Sequence, residues 1–317
     1  MKIIKPSFLV CDRDEQRGGL RIIEEAGRLC YKSEDKSTDD SAGGFVKGLI
    51  RRRHLSVLEH GDMIFEIGDY HIYDNVAEAL KIIRDSGVQP PMLEMTNIGH
   101  RCIVSGNIRA WLELFDIGSI ASRYFIAYFD PVFVQGMGFM DEDAEPDIRV
   151  RQICYAELRD PLEKLVHLRQ TVKFTVNRGI THEFVRHRKL SPSQESTRFC
   201  NYCDGRFGRE ITVVLPCFLV EDTEAYSLWK RQCLSAETAS FMLMNMGLQP
   251  QEARDVLPHS TKAELMMTGT LGAWNHFFDM RARQITGPAH PQAVEVALPL
   301  MQEMAVRFPD VIEGDTT

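Results

Sequence analysis

At 317 residues, with 44% hydrophobic and 26% charged side chains, the chain has a globular composition and is neither wholly disordered nor fibrous. Its 37 Lys and Arg against 45 Asp and Glu give a formal net charge of −8, which removes the general electrostatic case for duplex nucleic acid or an anionic membrane as partner. No apolar run approaches the roughly 18 residues of a membrane-spanning helix, and Phe8-Leu9-Val10 behind Lys2 and Lys5 is too short for a signal peptide, so a cytoplasmic chain is expected.

Helical spacing covers 19–31 (Leu20, Ile23, Ala26, Cys30) and 42–54 (Phe45, Leu49, Ile50), whereas Met63, Phe65 and Ile67 alternate as in a strand. Asp74 is a candidate N-cap for a helix through Val76, Leu80 and Ile83 that stops near Gly87 and Pro90-Pro91. Residues 130–149, with Asp130-Pro131, Gly136, Gly138 and the acidic run from Asp141 to Asp147, read as an exposed loop. A helix is expected around 150–170, a short strand over Lys173–Val176, a helix over Ile180–His187 and an apolar strand over Ile211–Leu215. A long helix runs from about Thr223 to Met246, closed by Gly247 and Pro250, and the C-terminal third is expected to be helical, ending with 289–306. There is one internal echo. Ser105-Gly106-Asn107-Ile108-Arg109-Ala110-Trp111 followed by Phe115 resembles Thr268-Gly269-Thr270-Leu271-Gly272-Ala273-Trp274 followed by Phe278. A single short match is also what chance or a shared helix-start pattern gives, and the sequence alone favours that reading over duplication.

Several motifs fail on their own chemistry. Gly136-Met137-Gly138 lacks the third glycine of a dinucleotide fingerprint, Asp141 standing in its place. His182-Glu183 opens like a zinc-protease helix, but position 186 is Arg, and His187 lies about 140° further round the helix than His182. Cys200 and Cys203 form one CxxC pair without a second, so incidental thiols are expected and no metal site. Cys217, between Pro216 and Phe218, reads as an inert core thiol.

The chemistry concentrates at 186–202, where Arg186-His187-Arg188-Lys189 is followed by Ser191, Ser193, Gln194, Glu195, Ser196, Thr197 and Arg198. A solvated basic helix end is the plain alternative. Against it, Ile180, Phe184 and His187 share one helical face, which turns part of the cluster inward, and Pro192 is expected to fold Ser193–Arg198 back over the helix end as a loop. This is a concentrated anion receptor inside an acidic protein.

The stretch resembles the signature of the flavin-dependent thymidylate synthases: Arg-His-Arg, then Ser, then Asn or Ser with Glu or Gln, then Ser-x-Arg-Tyr. Arg186, His187, Arg188, Ser191, Ser193, Gln194, Ser196 and Arg198 stand at matching places. His54-x-Ser56-x-x-Glu59-His60 before the Phe65 strand resembles the family's N-terminal flavin motif. Ala253-Arg254-x-x-Leu257-Pro258 resembles its substrate-arginine segment, and His276-Phe277-Phe278-x-x-Arg281 its C-terminal segment. The resemblance implies an α+β fold, a small mainly antiparallel sheet surrounded by helices, in a single domain over 1–317 with an extra or divergent segment at about 85–170. It implies reductive methylation of dUMP to dTMP, with methylenetetrahydrofolate as one-carbon donor and FAD reduced by NADPH as hydride source. It places dUMP at Glu183, Arg186, Gln194, Glu195, Ser196, Thr197, Arg198, Arg254 and Arg281. FAD falls at His54, Ser56, Arg186, His187, Arg188, Gln194, Thr270, Gly272 and His276. Arg281 carries the catalytic role, steadying negative charge on the uracil. A homotetramer with shared active sites is implied, with neither nucleic acid nor membrane as partner. Thr270 and Gly272 depart from the Asn and Arg frequent at those flavin positions, and Phe199 replaces a frequent Tyr. Two other readings remain at this point: a same-fold FAD enzyme alkylating another pyrimidine nucleotide, and a catalytically silent nucleotide-binding paralogue.

Overall fold

The computed structural model describes residues 1–12, 19–85, 92–117, 120–139, 146–203, 205 and 208–314. Two short strands, β1 (Lys2–Ile4) and β2 (Ser7–Val10), precede helices α1 (Leu20–Tyr31) and α2 (Ser41–Arg51). A helical turn, Leu55–His60, leads into β3 (Asp62–Ile67). There Met63, Phe65 and Ile67 enter one core while Ile64 enters a second, so the strand is walled on both faces. Helix α3 (Tyr70–Asp85) begins four residues before Asp74, because the Asp69 carboxylate accepts the His71 amide at 2.9 Å and starts the helix there.

Next come β4 (Leu93–Ile98), β5 (Arg101–Asn107), α4 (Ile108–Asp116), α5 (Pro131–Gly136) and β6 (Val150–Gln152). The expected loop at 130–149 thus holds a short helix, capped by Asp130 on the Val132 amide, and most of the acidic run lies outside the described residues. The helix expected over 150–170 shrinks to α6 (Pro161–His167), since Val150–Gln152 pairs with β3 and a strand, β7 (Arg169–Asn177), follows. Helix α7 (Arg178–Phe184), β8 (Ser191–Gln194), β9 (Thr212–Val214), α8 (Glu224–Asn245) and α9 (Pro250–Ala253) come next. The C-terminal third is not all helical: β10 (Lys262–Thr270) precedes α10 (Leu271–Arg281) and α11 (Pro291–Arg307). Pro192 sits in β8 and not in a loop. As an edge position opposite Met267, it needs no amide proton on its open side.

The fold class is α+β, but with two antiparallel four-stranded sheets and not one, ordered β4-β5-β3-β6 and β8-β10-β7-β2, plus a parallel β1–β9 pair. Helices surround both. The sequence echo falls on equivalent elements, β5–α4 and β10–α10, and its details repeat. Gly106 opposes Met63, whose carbonyl accepts from Trp111 Nε1 at 3.4 Å; Gly269 opposes Gln170, whose carbonyl accepts from Trp274 Nε1 at 3.0 Å. Asn107 caps α4 on the Ala110 amide, and Thr270 caps α10 on the Ala273 amide. A Cβ added to Gly106 would stand 2.2 Å from Leu93 Cδ2, and one on Gly269 2.4 Å from Leu190 Cδ2, so each copy needs glycine for the same close approach. Chance does not reproduce strand order, register and cap together; the echo is one structural unit used twice. Each copy has its own aromatic core, around Phe65, Trp111, Phe125 and Phe129 in the first and Phe174, Phe184, Trp274 and Phe277 in the second.

Candidate functional site

Helix α7 is fixed by three local facts: Asn177 caps it on the Ile180 amide, and Ile180 and Phe184 are buried as their spacing predicts. His187 continues that buried face one turn past the last helical residue. Against it stands Arg281, the final residue of α10. Its Nη1 donates to Glu183 Oε2 at 2.7 Å, its Nη2 to the Glu183 carbonyl at 3.4 Å, and its Nε to His187 Nε2 at 3.1 Å. Arg can only donate, so His187 Nε2 accepts and the ring proton sits on Nδ1. Burial, with Arg281 and His276 beside it, pushes the His187 pKa down to about 4, so the ring is neutral near pH 7. The exposed His276 ring lies 6.0 Å from that of His187. Asp279, the nearest carboxylate in sequence, pairs instead with Arg283.

A second group follows β8. Gln194 donates to Thr181 Oγ1 at 3.0 Å, tying the strand to α7. Glu195 is buried, accepting from Lys262 Nζ at 2.8 Å and from the Glu264 amide at 2.9 Å. It lines a cavity of about 430 Å³ with Lys2, Lys32, Lys262 and Tyr202. Burial opposes charge on Glu264, yet Lys262, Lys32 and Lys173 hold its pKa down at about 2. The Ser196 backbone amide donates to the Cys30 carbonyl at 3.3 Å, and Thr197 Oγ1 accepts from Arg254 at 3.2 Å. Arg198 is exposed and donates to Gln251.

The N-terminal motif joins this second group through α1. His54 Nδ1 is 2.8 Å from the Tyr31 hydroxyl, and the Tyr31 ring meets Phe199 at 5.5 Å. Ser56 is exposed nearby in sequence. Arg186 and Arg188 are exposed and have no carboxylate partner among the described residues. Two cations left uncompensated in a net acidic protein match the needs of a diphosphate, which Arg grips through paired N–H donors. Thr270 and Gly272 are not open in the same way. Thr270 is spent on its cap, and a Cβ on Gly272 would stand 3.2 Å from the Leu165 carbonyl, so α6 covers the place where an arginine would project. Arg109, at the equivalent position of the first copy, is committed to Glu59 and Glu113, each at 2.8 Å.

Sequence reasoning named Glu195 but missed Tyr31 and the Lys32 and Lys262 that meet Glu195, whose only signals were an aromatic at a helix end and scattered lysines. Cys217 is exposed, not core: Phe218 beside it is 57% exposed, because the segment runs along the surface before α8. Its thiol pKa is nevertheless raised by partial burial and by Glu295. The same direction holds for Cys11, Cys30, Cys102, Cys200, Cys203 and Cys233, so none of these thiols is activated. Among the described residues, no group of three or more His, Cys, Asp or Glu is placed to hold a metal, and no helix is long and apolar enough to cross a membrane.

Residues 14–73 and 150–310 match the family described as Thymidylate synthase complementing protein. The flavin-dependent thymidylate synthase of Pyrococcus furiosus is 34% identical over 133 residues, which cover 41% of this chain and 52% of that protein. That of Corynebacterium glutamicum is 32% identical over 155 residues, 44% of this chain and 58% of that one. A solved structure, a UMP/dUMP methylase PolB from Streptomyces cacaoi bound with 5-Br dUMP, aligns with 96% of this chain and 93% of that chain at 14% identity and TM-score 0.39. The chain spans about half the length of the curated relatives it matches.

Proposed function

The chain belongs to the thymidylate synthase complementing protein family, and from that membership we propose that it methylates dUMP reductively to dTMP, with methylenetetrahydrofolate as one-carbon donor and NADPH as reductant of bound FAD. The observation that carries this reading is the arrangement at α7: Arg281 locked to Glu183 and His187, with Arg186 and Arg188 on the same segment meeting no carboxylate among the described residues. One helix end thus supports a fixed cation for chemistry and exposed cations for phosphate.

Arg186, Arg198 and Arg254 hold the anionic end of the nucleotide, with Gln194, Ser196 and Thr197 supplying neutral hydrogen bonds. His54, Ser56, Arg188 and the Nδ1–H edge of His187 serve the flavin, which when bound supplies the hydride that completes the methyl group. His276, its ring 6.0 Å from that of His187, serves the same ligand. Arg281 acts on the uracil. Its guanidinium is oriented before substrate arrives, so it stabilises charge developing on the ring without reorganising. Glu183 is a positioning residue for Arg281, and Glu195, held by Lys262 and a backbone amide, anchors the loop. No protein nucleophile is needed, in keeping with the raised thiol pKa values.

The domain is a single unit over 1–317, with 85–170 as its divergent segment; the family match stops at 73 and resumes at 150. A homotetramer is the proposed assembly. Exposed apolar side chains on α8, Leu228, Leu234 and Met242, with Met246 just past its end, are in keeping with association. A cytoplasmic location accords with eight cysteines that form no disulfide. To test the function, purified protein is reconstituted with FAD and supplied with NADPH, dUMP and methylenetetrahydrofolate. Formation of dTMP is the expected result, and a flavin-loaded protein that makes none overturns the reading.

A further inference from the structure

Each copy of the repeated unit begins with a buried histidine that reaches into the other copy. His60, at the end of the helical turn before β3, has Nδ1 2.7 Å from Thr268 Oγ1 on β10 and Nε2 2.9 Å from Ser193 Oγ on β8. His167, at the end of α6 before β7, has Nδ1 2.7 Å from Ser105 Oγ on β5 and Nε2 2.7 Å from Thr96 Oγ1 on β4. Their exposures are 2% and 0%. Thr268 and Ser105 hold the same place in the echo, one residue before its glycine, and β8 and β4 are the same edge of their sheets. The contacts are reciprocal, as across an interface between two identical subunits. A buried imidazole satisfied at both nitrogens specifies one geometry, since losing either partner strands a polar atom away from water.

The two clasps grip unequal things. β4 has six residues and pairs along its whole length with β5. β8 has four, includes a proline and pairs with β10, so its ladder is the shorter, and α1 lies beside it through Cys30, whose thiol meets Ser193 and the Gln194 backbone. Ser193 is therefore a buried side-chain tie on a strand with a short ladder, directly before Gln194, Ser196 and Arg198. We propose that His60 is a positioning residue for the nucleotide site, acting through Ser193 to fix β8, while His167 is its structural twin with no such duty. This rests on the proposed placement of dUMP along 194–198.

The twin supplies the control. Ser193→Ala and His60→Gln are compared with Ser105→Ala and His167→Gln by thermal melting, by amide exchange and by calorimetric titration with dUMP. All four are expected to melt earlier. Only the His60 pair is expected to speed exchange of the Ser191, Ser193 and Gln194 amides and to raise the dUMP dissociation constant, by about tenfold. If the His60 pair melts earlier but binds dUMP like the unaltered protein, the positioning role is overturned. Equal loss of dUMP affinity from the His167 pair overturns it too, because the effect would then be general loosening. Should His60→Gln fail to fold, Ser193→Ala removes only a hydroxyl and still decides. An unaltered protein that binds no dUMP sinks the substrate assignment instead, and exchange at β8 then decides the clasp by itself.

Discussion

The first repeated unit, from the turn at Leu55–His60 to α4, and the second, from α6 to α10, share strand order, glycine contact, tryptophan hydrogen bond, helix cap and histidine clasp. They do not share the chemistry. Where the second has the seven-residue α7 followed by Arg186-His187-Arg188, the first has the sixteen-residue α3, whose buried residues are all apolar. At the position of Gly272, covered by α6, the first keeps Arg109 but neutralises it with two carboxylates. A scaffold can thus be repeated with its packing intact while the ligand groups, which sit between its elements, diverge freely. Packing residues are fixed by shape, whereas surface cations between elements are not.

The largest effect expected is common to both units. Burial pushes the His60 pKa down to about 4, and burial with Arg169 and Arg101 nearby pushes that of His167 down to about 3, against an ordinary value near 6.5. Both are neutral in the folded state and gain a proton on unfolding, so their contribution is complete above about pH 6.5 and is lost as pH falls towards 4 and then 3. The loss is on the order of 3 kcal/mol per histidine, and denaturant titrations between pH 7 and 4 measure it. A stability that stays flat over that range would show that neither histidine is held neutral, and a loss of only about half would break the equivalence of the clasps.

Arg281 comes next and has no counterpart role in the first unit. Arg281→Lys keeps the charge but loses the fork that meets Glu183 and His187, so kcat should fall about 10²-fold with little change in dUMP affinity. Steady-state kinetics beside a binding titration tests this, and a near-normal kcat removes Arg281 from the chemistry. Smaller still is the paired substitution of the echo glycines. Gly106→Ala and Gly269→Ala each press on a leucine and should cost about 1–3 kcal/mol. Gly269→Ala alone should also weaken ligand binding, because Leu190 and the Lys189 carbonyl, which it displaces, adjoin Arg188. Thermal melts with flavin titrations separate the two. Least costly are the caps: Asn107→Ala and Thr270→Ala should each lose about 1 kcal/mol by denaturant titration, and a clear inequality would show that the units no longer carry equal strain.

Local rules made several elements legible: α1, α2, α8 and α11 from apolar spacing and caps, and β3 from alternation. β10 was not. Lys262-Ala263-Glu264-Leu265-Met266-Met267 is made of residues that favour helix, and only pairing on both sides, with β7 and β8, makes it a strand. The start of α3 was misplaced because two aspartates, Asp69 and Asp74, could each cap it, and the chain uses the first. The exposure of Cys217 was hidden by its apolar neighbours, which signal burial only if an element covers them.

The sequence by itself determined the chemistry on offer, because Arg186 to Arg198 are contiguous and their types and spacing persist in any fold that leaves them near one another. Tertiary structure alone decided which of those groups are free. Arg281 meets Glu183 across 98 positions, Glu195 meets Lys262 across 67, and Arg186 and Arg188 meet no carboxylate among the described residues. It also decided that the echo is a repeated unit. The reason is physical: spacing along a chain fixes which side chains share a face, but pairing, burial and the protonation they impose depend on what another element brings opposite.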